Sequence, residues 1–273
     1  MTTVGELSSV IEEVWPADGA QPWDSIGLVV GHPRDVIKHV RLCVDVTPEV
    51  ILDAHSAGVD FLIAHHPLLL RGITSASEET YKGASLALMI RHGMGLLTAH
   101  TNADVVSDGV SDCLAQALAL TDVEPITPQP GSSPVRGVGR VGNLVAASPL
   151  GVVARQIAGL IPSTAQGVRV SGDFENRVRR IALCGGAGDS LLAESKVLSA
   201  DVFITSDLRH HPALEFREWA KLDNGPALID VSHWASEWVW LSTAAQNLRG
   251  RIPSVVFSVS DVRTDPWDFL VVQ

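Results

Sequence analysis

The fold of this chain is decided by residues 40–67, which read VRLCVDVTPEVILDAHSAGVDFLIAHHP. Residues 40–45 form a short apolar run that is typical of a β-strand, and Thr47-Pro48-Glu49 carries the signals that open a helix. Residues 61–64 form a second apolar run of strand composition. Strand, helix and strand in this order predict a right-handed βαβ unit and therefore an α/β protein.

A second set of segments repeats this plan further along the chain. Residues 180–184 and 201–205 have strand composition, and a helix is predicted between them over residues 189–198. The two strands are spaced as in the first set. Further apolar runs at residues 95–99 and 226–231 add one more predicted strand to each half.

Histidine motifs also recur in the same order in both halves. His65-His66-Pro67 follows an apolar strand, and His210-His211-Pro212 is its counterpart. After the next strand in each half comes a histidine followed by a carboxylate four residues later, first in His100 to Asp104 and then in His233 to Glu237. Three echoes in one order predict an internal duplication that produces two similar α/β lobes.

The segment at residues 127–134 (Thr-Pro-Gln-Pro-Gly-Ser-Ser-Pro) is typical of a linker and places the boundary between the lobes. We expect an N-terminal lobe over residues 1–130, with a C-terminal segment packing on it, and a C-terminal lobe over residues 131–273. Because the histidine and carboxylate motifs are divided between the lobes, we expect the site in the cleft between them.

Composition excludes several classes of protein. The formal net charge is −11 and no block of Lys or Arg occurs, so nucleic-acid binding is disfavoured. No run of 18 apolar residues occurs and the N-terminus does not resemble a signal peptide, so we expect a cytoplasmic protein. The three cysteines are widely spaced, which disfavours a thiolate zinc site, and Cys43 and Cys184 are interpreted as small buried hydrophobes.

The imidazoles and carboxylates that follow strands form a candidate metal centre. Open α/β sheets build their sites at the carboxyl ends of their strands, and these side chains are the usual ligands of divalent transition metals outside thiolate sites. The candidate ligands are His65, His66, Asp104, His233 and Glu237. This supply suits two metal ions better than one, and the donor types suit Zn²⁺, Fe²⁺, Mn²⁺, Co²⁺ or Ni²⁺.

Five motifs in this chain resemble those of the NIF-three-like proteins, also called type 2 GTP cyclohydrolase I homologues. The resemblance covers nearly the whole chain, in order. Its motifs are Trp23-Asp24-Ser25-Ile26-Gly27-Leu28-Val29-Val30-Gly31, Ile63-Ala64-His65-His66-Pro67, His100-Thr101-Asn102-Ala103-Asp104, Gly137-Val138-Gly139-Arg140-Val141-Gly142 and Ser232-His233-Trp234-Ala235-Ser236-Glu237.

The resemblance implies a dinuclear metal centre on the same five candidate ligands, two similar α/β lobes and a toroidal homohexamer. It also implies a short form, since the chain is too short for the middle domain that longer members insert. Two positions depart from the family pattern, because Ser25 stands where Asn is common and Ser206 where Gly often precedes Asp207. Neither is a candidate ligand.

Two glycine-rich segments are open to a different interpretation. Gly137-x-Gly139-x-x-Gly142 matches a dinucleotide fingerprint, but an apolar, strand-like run follows it where a helix is required. The segment from Gly185 to Asp189 leads from a strand into a predicted helix, so either a tight turn or an anion-binding loop fits it.

Two functions are consistent with these motifs. The first is a metal-dependent hydrolase acting on a nucleotide or a cyclic amide, with His100 orienting a ligand or carrying a proton. The second is a non-enzymatic metal-handling, regulatory or scaffold protein.

Overall fold

A computed structural model describes residues 1–132 and 136–272 of the chain. The last two residues of the predicted linker, at positions 133 and 134, lie outside the described residues. The strands are β1 Thr2–Thr3, β2 Gly27–Val30, β3 Val36–Ile37, β4 His39–Cys43, β5 Phe61–Ala64, β6 Gly95–Thr98, β7 Thr121–Glu124, β8 Thr127–Pro128, β9 Gly137–Val138, β10 Arg140–Pro149, β11 Arg169–Ser171, β12 Arg177–Ala187, β13 Val202–Ser206, β14 Ala227–Val231 and β15 Val256–Val259. The α-helices are α1 Val4–Val14, α2 Pro48–Ser56, α3 Tyr81–Arg91, α4 Thr101–Asp104, α5 Val110–Ala117, α6 Leu150–Leu160, α7 Ser195–Leu198, α8 His210–Asp223 and α9 His233–Arg251.

The described chain divides into two compact units. The first comprises Met1–Ala103 and Leu241–Thr264, and the second comprises Asp104–Trp240 and Asp265–Gln273. The predicted division into lobes at residue 130 and the predicted internal duplication stay predictions.

The first unit is built on a mixed sheet in the strand order β15-β4-β5-β6-β2. Strands β15, β4, β5 and β6 are parallel, and β2 is antiparallel to β6. Helix α1 begins at a capping box, in which Thr3 accepts from the Glu6 N–H and Glu6 accepts from the Thr3 N–H. Helix α2 follows Thr47, which caps it, so the predicted βαβ unit over β4, α2 and β5 is confirmed.

The second unit is built on a mixed sheet in the order β11-β14-β13-β12-β10-β7. Strands β12, β13 and β14 are parallel to one another, and β10 and β11 run antiparallel to their neighbours. The apolar core under this sheet includes Cys184, and Cys43 belongs to the core of the first unit, so the interpretation of both cysteines is confirmed.

Two predictions about the second unit are wrong in detail. The helix predicted over residues 189–198 is divided into a 3-10 turn at Asp189–Leu191 and the short helix α7, because Glu194 takes an extended conformation between them. His210 and His211 do not follow strand β13 directly, since they open helix α8. Ser206 ends strand β13 and Asp207 follows it.

The glycine motif at residues 137–142 comprises strand β9, Gly139 and the first residues of strand β10, and strand β10 continues after it where a helix would be required, as expected. In the described part of the chain, no helix is both long and apolar enough to cross a membrane.

Candidate metal centre

Three histidines of the first unit follow the carboxyl ends of neighbouring parallel strands. The strand pairing continues past β4 and β5, because the backbone N–H groups of His65 and His66 donate to the carbonyls of Cys43 and Val44. His100 follows β6 by two residues. The candidate ligand nitrogens of His65, His66 and His100 lie within 4.8 Å of one another. This edge of the sheet therefore gathers three imidazoles, which we call the three-histidine cluster.

Oxygen acceptors fix the tautomer of each imidazole in the cluster. His65 Nδ1 lies 3.0 Å from the carbonyl oxygen of Ala99. A carbonyl can only accept, so Nδ1 carries the proton and the lone pair of the neutral ring is on Nε2. His66 Nδ1 lies 2.7 Å from a carboxylate oxygen of Asp45, which follows strand β4. The same reasoning leaves Nε2 of His66 as its metal-ligating atom.

His100 is held by a buried carboxylate that comes from a different part of the sheet. Its Nδ1 lies 2.8 Å from Asp24 Oδ1, and the Asp24 side chain is 1% exposed. Asp24 precedes β2, whose antiparallel direction brings its amino end to the carboxyl ends of β5 and β6. Burial raises the pKa of Asp24, but hydrogen bonds from His100 and Thr101 lower it more, so its pKa falls well below the usual range. Asp24 is therefore a permanent anion behind His100.

A fourth histidine is held in the same way in the second unit. His233 opens helix α9 directly after strand β14 and Ser232, and its Nδ1 lies 2.7 Å from Asp207 Oδ2. Asp207 follows the neighbouring strand β13 and has a left-handed backbone with a φ of 57°. Asp tolerates this conformation better than most residues do. Its carboxylate thereby leaves Nε2 of His233 as the candidate ligand.

Glu237 lies one helical turn after His233 and faces the same way. Its Oε1 is 2.9 Å from His233 Nε2, and its side chain is 5% exposed. Burial lowers the pKa of His233, but Glu237 and Asp207 raise it by more, so that the pKa is about 11. In the absence of a metal the two side chains thus share a proton, at the position where a divalent cation would take two ligands.

Gly186 leaves the space that His233 and Glu237 occupy. It lies near the end of strand β12 with a φ of +70°, and its N–H donates to Ser236 on helix α9. A Cβ at this position would lie 2.5 Å from Glu237 Oε1 and 3.2 Å from His233 Nε2. The segment from Gly185 to Asp189, whose role the sequence left open, therefore includes a strand end that cradles two candidate ligands.

Asp104 is the predicted ligand whose surroundings say least about metal binding. It ends the short helix α4 and is partly buried. In the second unit, burial and then the charge of Asp104 raise the pKa of the Cys184 thiol to about 12. Cys184 is therefore a protonated, inert thiol beside a carboxylate.

The structure thus brings together His65 and His66 with His100, and His233 with Glu237. His100, which sequence reasoning treated as a supporting residue, has a ring nitrogen within 4.8 Å of those of His65 and His66. Sequence reasoning missed the carboxylates Asp24, Asp45 and Asp207, and it missed the cradle at Gly186. The strand ends at Asp45 and Asp207 carried the same signal as the histidines.

The fold and these side chains define a class of α/β protein whose sheet edges gather His and Glu groups able to hold a metal. The family model for Duf34/NIF3 (NGG1p interacting factor 3) matches residues 2–266, and the chain belongs to this family. The resemblance seen in the sequence motifs is confirmed.

Comparison with individual proteins agrees with this assignment. The chain is 41% identical to a Streptomyces coelicolor protein named GTP cyclohydrolase 1 type 2 homolog, over 98% of this chain and 94% of that protein. A Staphylococcus aureus hypothetical protein of known structure is 28% identical, with a TM-score of 0.86 over 98% of this chain and 99% of that one. A Bacillus cereus protein related to NIF3 has the same fold, with a TM-score of 0.88 at 22% identity over 98% of this chain and 99% of that one.

Proposed function

We propose that this protein binds two divalent metal ions and acts as a metal-dependent hydrolase on a nucleotide or a cyclic amide. The proposed ligands are His65, His66, Asp104, His233 and Glu237. The Streptomyces coelicolor relative is named as a homolog of a GTP cyclohydrolase. A GTP cyclohydrolase uses water to open the ring of a guanine nucleotide. That name supports the class of reaction proposed here.

The observation that carries the proposal is the common orientation of four histidines. An oxygen acceptor holds Nδ1 of His65, His66, His100 and His233 in every case, and in three of them the acceptor is a carboxylate. This arrangement fixes the ring and raises the basicity of Nε2, as in known metal sites where a carboxylate supports a ligating histidine. A histidine that serves only packing needs no such partner on a fixed nitrogen.

The donor set fits divalent cations of the first transition series, because imidazole and carboxylate ligands suit Zn²⁺, Fe²⁺, Mn²⁺, Co²⁺ and Ni²⁺. When bound, two such ions supply Lewis acidity and activate water for attack on the substrate. We further propose that the chain assembles into a homohexameric ring.

His100 is proposed to carry the proton in this reaction. Its Nδ1–H is held by Asp24, so Nε2 is the atom that accepts a proton from water or returns it to the leaving group. Trp23 presents an indole that is 60% exposed, with its ring 5.9 Å from the His100 ring between centroids. An exposed aromatic face beside the proton carrier suits a planar substrate such as a nucleobase.

The test combines metal analysis with a turnover screen of nucleotides and cyclic amides. We expect about two metal ions per chain and turnover in the wild type. Glu237→Ala is expected to lose metal and turnover, and its control Glu215→Ala changes an exposed glutamate of helix α8. His100→Ala is expected to keep its metal and lose turnover, with His92→Ala as the control.

Each alternative result has a definite meaning. A wild-type protein without bound metal would refute the metal centre. Stoichiometric metal with no turnover above background would favour the non-enzymatic metal-handling, regulatory or scaffold role. Loss of metal in His100→Ala would make His100 a ligand and refute its role as proton carrier.

A further inference from the structure

The segment that follows strand β15 runs along the first sheet towards the three-histidine cluster. Strand β15 pairs in parallel with β4, and beyond its end the Ser260 N–H donates to the Leu42 carbonyl. Thr264 then reaches Asp45, which follows β4. The Thr264 hydroxyl donates to Asp45 Oδ2 at 2.5 Å. Because Asp45 Oδ1 holds His66 Nδ1, Thr264 orients the carboxylate that orients His66.

The next residue, Asp265, makes an analogous contact in the second unit. Ser232 caps helix α9, since its Oγ accepts from the Ala235 N–H at 3.2 Å. The Ser232 hydroxyl in turn donates to Asp265 Oδ2 at 2.5 Å, and the other Asp265 oxygen accepts from the Trp267 N–H. The helix that this cap starts carries His233 on its first residue.

Two consecutive residues thus contact groups that hold two different candidate ligands. Thr264 acts on His66 through Asp45, and Asp265 acts on His233 through the cap of α9. The negative charge of Asp265 also lies at the N-terminus of helix α9, where the helix dipole favours an anion. Neither Thr264 nor Asp265 is proposed as a ligand, and each is separated from the nearest candidate ligand by an intervening side chain.

We propose that Thr264 and Asp265 are positioning residues of the metal centre, each fixing one of its histidines through a single intermediate group. The inference rests on the proposed function, because it concerns the same metal ligands. Removing a group that orients a metal ligand without binding the metal typically lowers metal affinity by about 10–100-fold. We expect a loss in that range from either residue.

The experiment uses Co²⁺ as the probe, because its visible absorption reports ligand geometry. Affinity is measured by competition with a chelator on the full chain. Thr264→Val removes the hydroxyl and keeps the shape, Thr264→Ser restores the hydroxyl, and Thr127→Val is the control at an exposed threonine of strand β8. We expect Thr264→Val to bind Co²⁺ at least about tenfold more weakly, with an altered spectrum, and Thr264→Ser and the control to resemble the wild type.

Asp265 is tested in parallel by Asp265→Ala and Asp265→Asn. The amide oxygen of Asn still accepts from Ser232, so Asp265→Asn is expected to lose less affinity than Asp265→Ala. If Thr264→Val does not fold, Asp265→Ala and Asp265→Asn still test the inference, because a change at Asp265 alone is expected to alter the Co²⁺ spectrum.

The outcomes separate this inference from the proposed function. Folded Thr264→Val and Asp265→Ala proteins with wild-type affinity and spectrum would overturn the inference and leave the metal centre intact. Weaker binding in Thr264→Val without recovery in Thr264→Ser would also overturn it, because the hydroxyl would then not be the cause. A wild-type chain that binds no Co²⁺ would overturn both.

Discussion

Replacing Gly186 with alanine should abolish tight metal binding while leaving the fold almost intact. The added Cβ would lie 2.5 Å from Glu237 Oε1, whereas ordinary contact begins at 3.4 Å, so the carboxylate must move by about 0.9 Å. The clash is with the far end of a side chain, which can rotate away without unfolding the helix. A functional site tolerates displacements of about 0.5 Å, so this shift is sufficient to spoil ligation.

The stability loss comes mainly from the backbone. Gly186 has a φ of +70°. An alanine in this left-handed conformation is expected to lower the free energy of unfolding by roughly 1–2 kcal/mol. For a chain of this size that corresponds to a fall in Tm of a few degrees. Metal affinity should fall by at least about 100-fold, because a ligand itself is displaced and removing a group that only supports a ligand already costs about 10–100-fold.

Gly167 provides the matched control. Its φ is +63°, and a Cβ there would meet nothing within 4 Å among the described residues. Gly167→Ala should therefore lose a similar amount of stability and keep its metal. Thermal unfolding and chelator competition on both variants measure the two effects separately. Wild-type affinity in Gly186→Ala, or equal losses of affinity in both variants, would refute the reasoning.

Two further predictions concern a buried ion pair and proton release. Arg140 is 3% exposed and pairs with Asp112 at 2.8 Å while donating to several backbone carbonyls, so Arg140→Ala should lower the free energy of unfolding by about 3–5 kcal/mol. Urea denaturation measures this against Arg34→Ala at an exposed position, and a loss below about 1 kcal/mol would contradict it. His233 has a pKa of about 11, because the charges of Glu237 and Asp207 outweigh the effect of burial, so its ring is protonated at pH 8 without metal and must lose that proton on ligation. Calorimetry of Co²⁺ binding in two buffers of different ionisation enthalpy should therefore show proton release and an affinity that rises with pH; identical heats in both buffers would contradict this.

Local sequence patterns were sufficient for the strands that carry the site. Residues 61–64 form strand β5 with the predicted limits, because four consecutive apolar residues ending at a histidine and a proline leave little freedom. Helix α2 begins at Pro48 for an equally local reason, since Thr47 caps it. The position of His65 and His66 at a strand end followed from the limits of β5.

Contacts that depend on strand direction were beyond the sequence. Asp24 supports His100 only because β2 runs antiparallel to β6, and nothing within residues 24–30 states that direction. The division of the predicted helix at Glu194 also did not follow from the local pattern. Leu191 and Val197 are both buried in one core, and a continuous helix was only one of the ways to bury them.

Strand β15 has a consequence for the order in which this protein matures. Its partner is β4, and the contact between Arg41 and Ser258 spans 217 positions of the chain. A ribosome must therefore synthesise more than 200 residues after β4 before the first sheet gains its last parallel strand, although β4, β5 and β6 emerge earlier. Pairings of such long range form slowly, and the early strands expose apolar edges while they wait. Thr264 follows β15 in the chain, so we expect the histidines of the first unit to become fully ordered only after residue 264 has been synthesised.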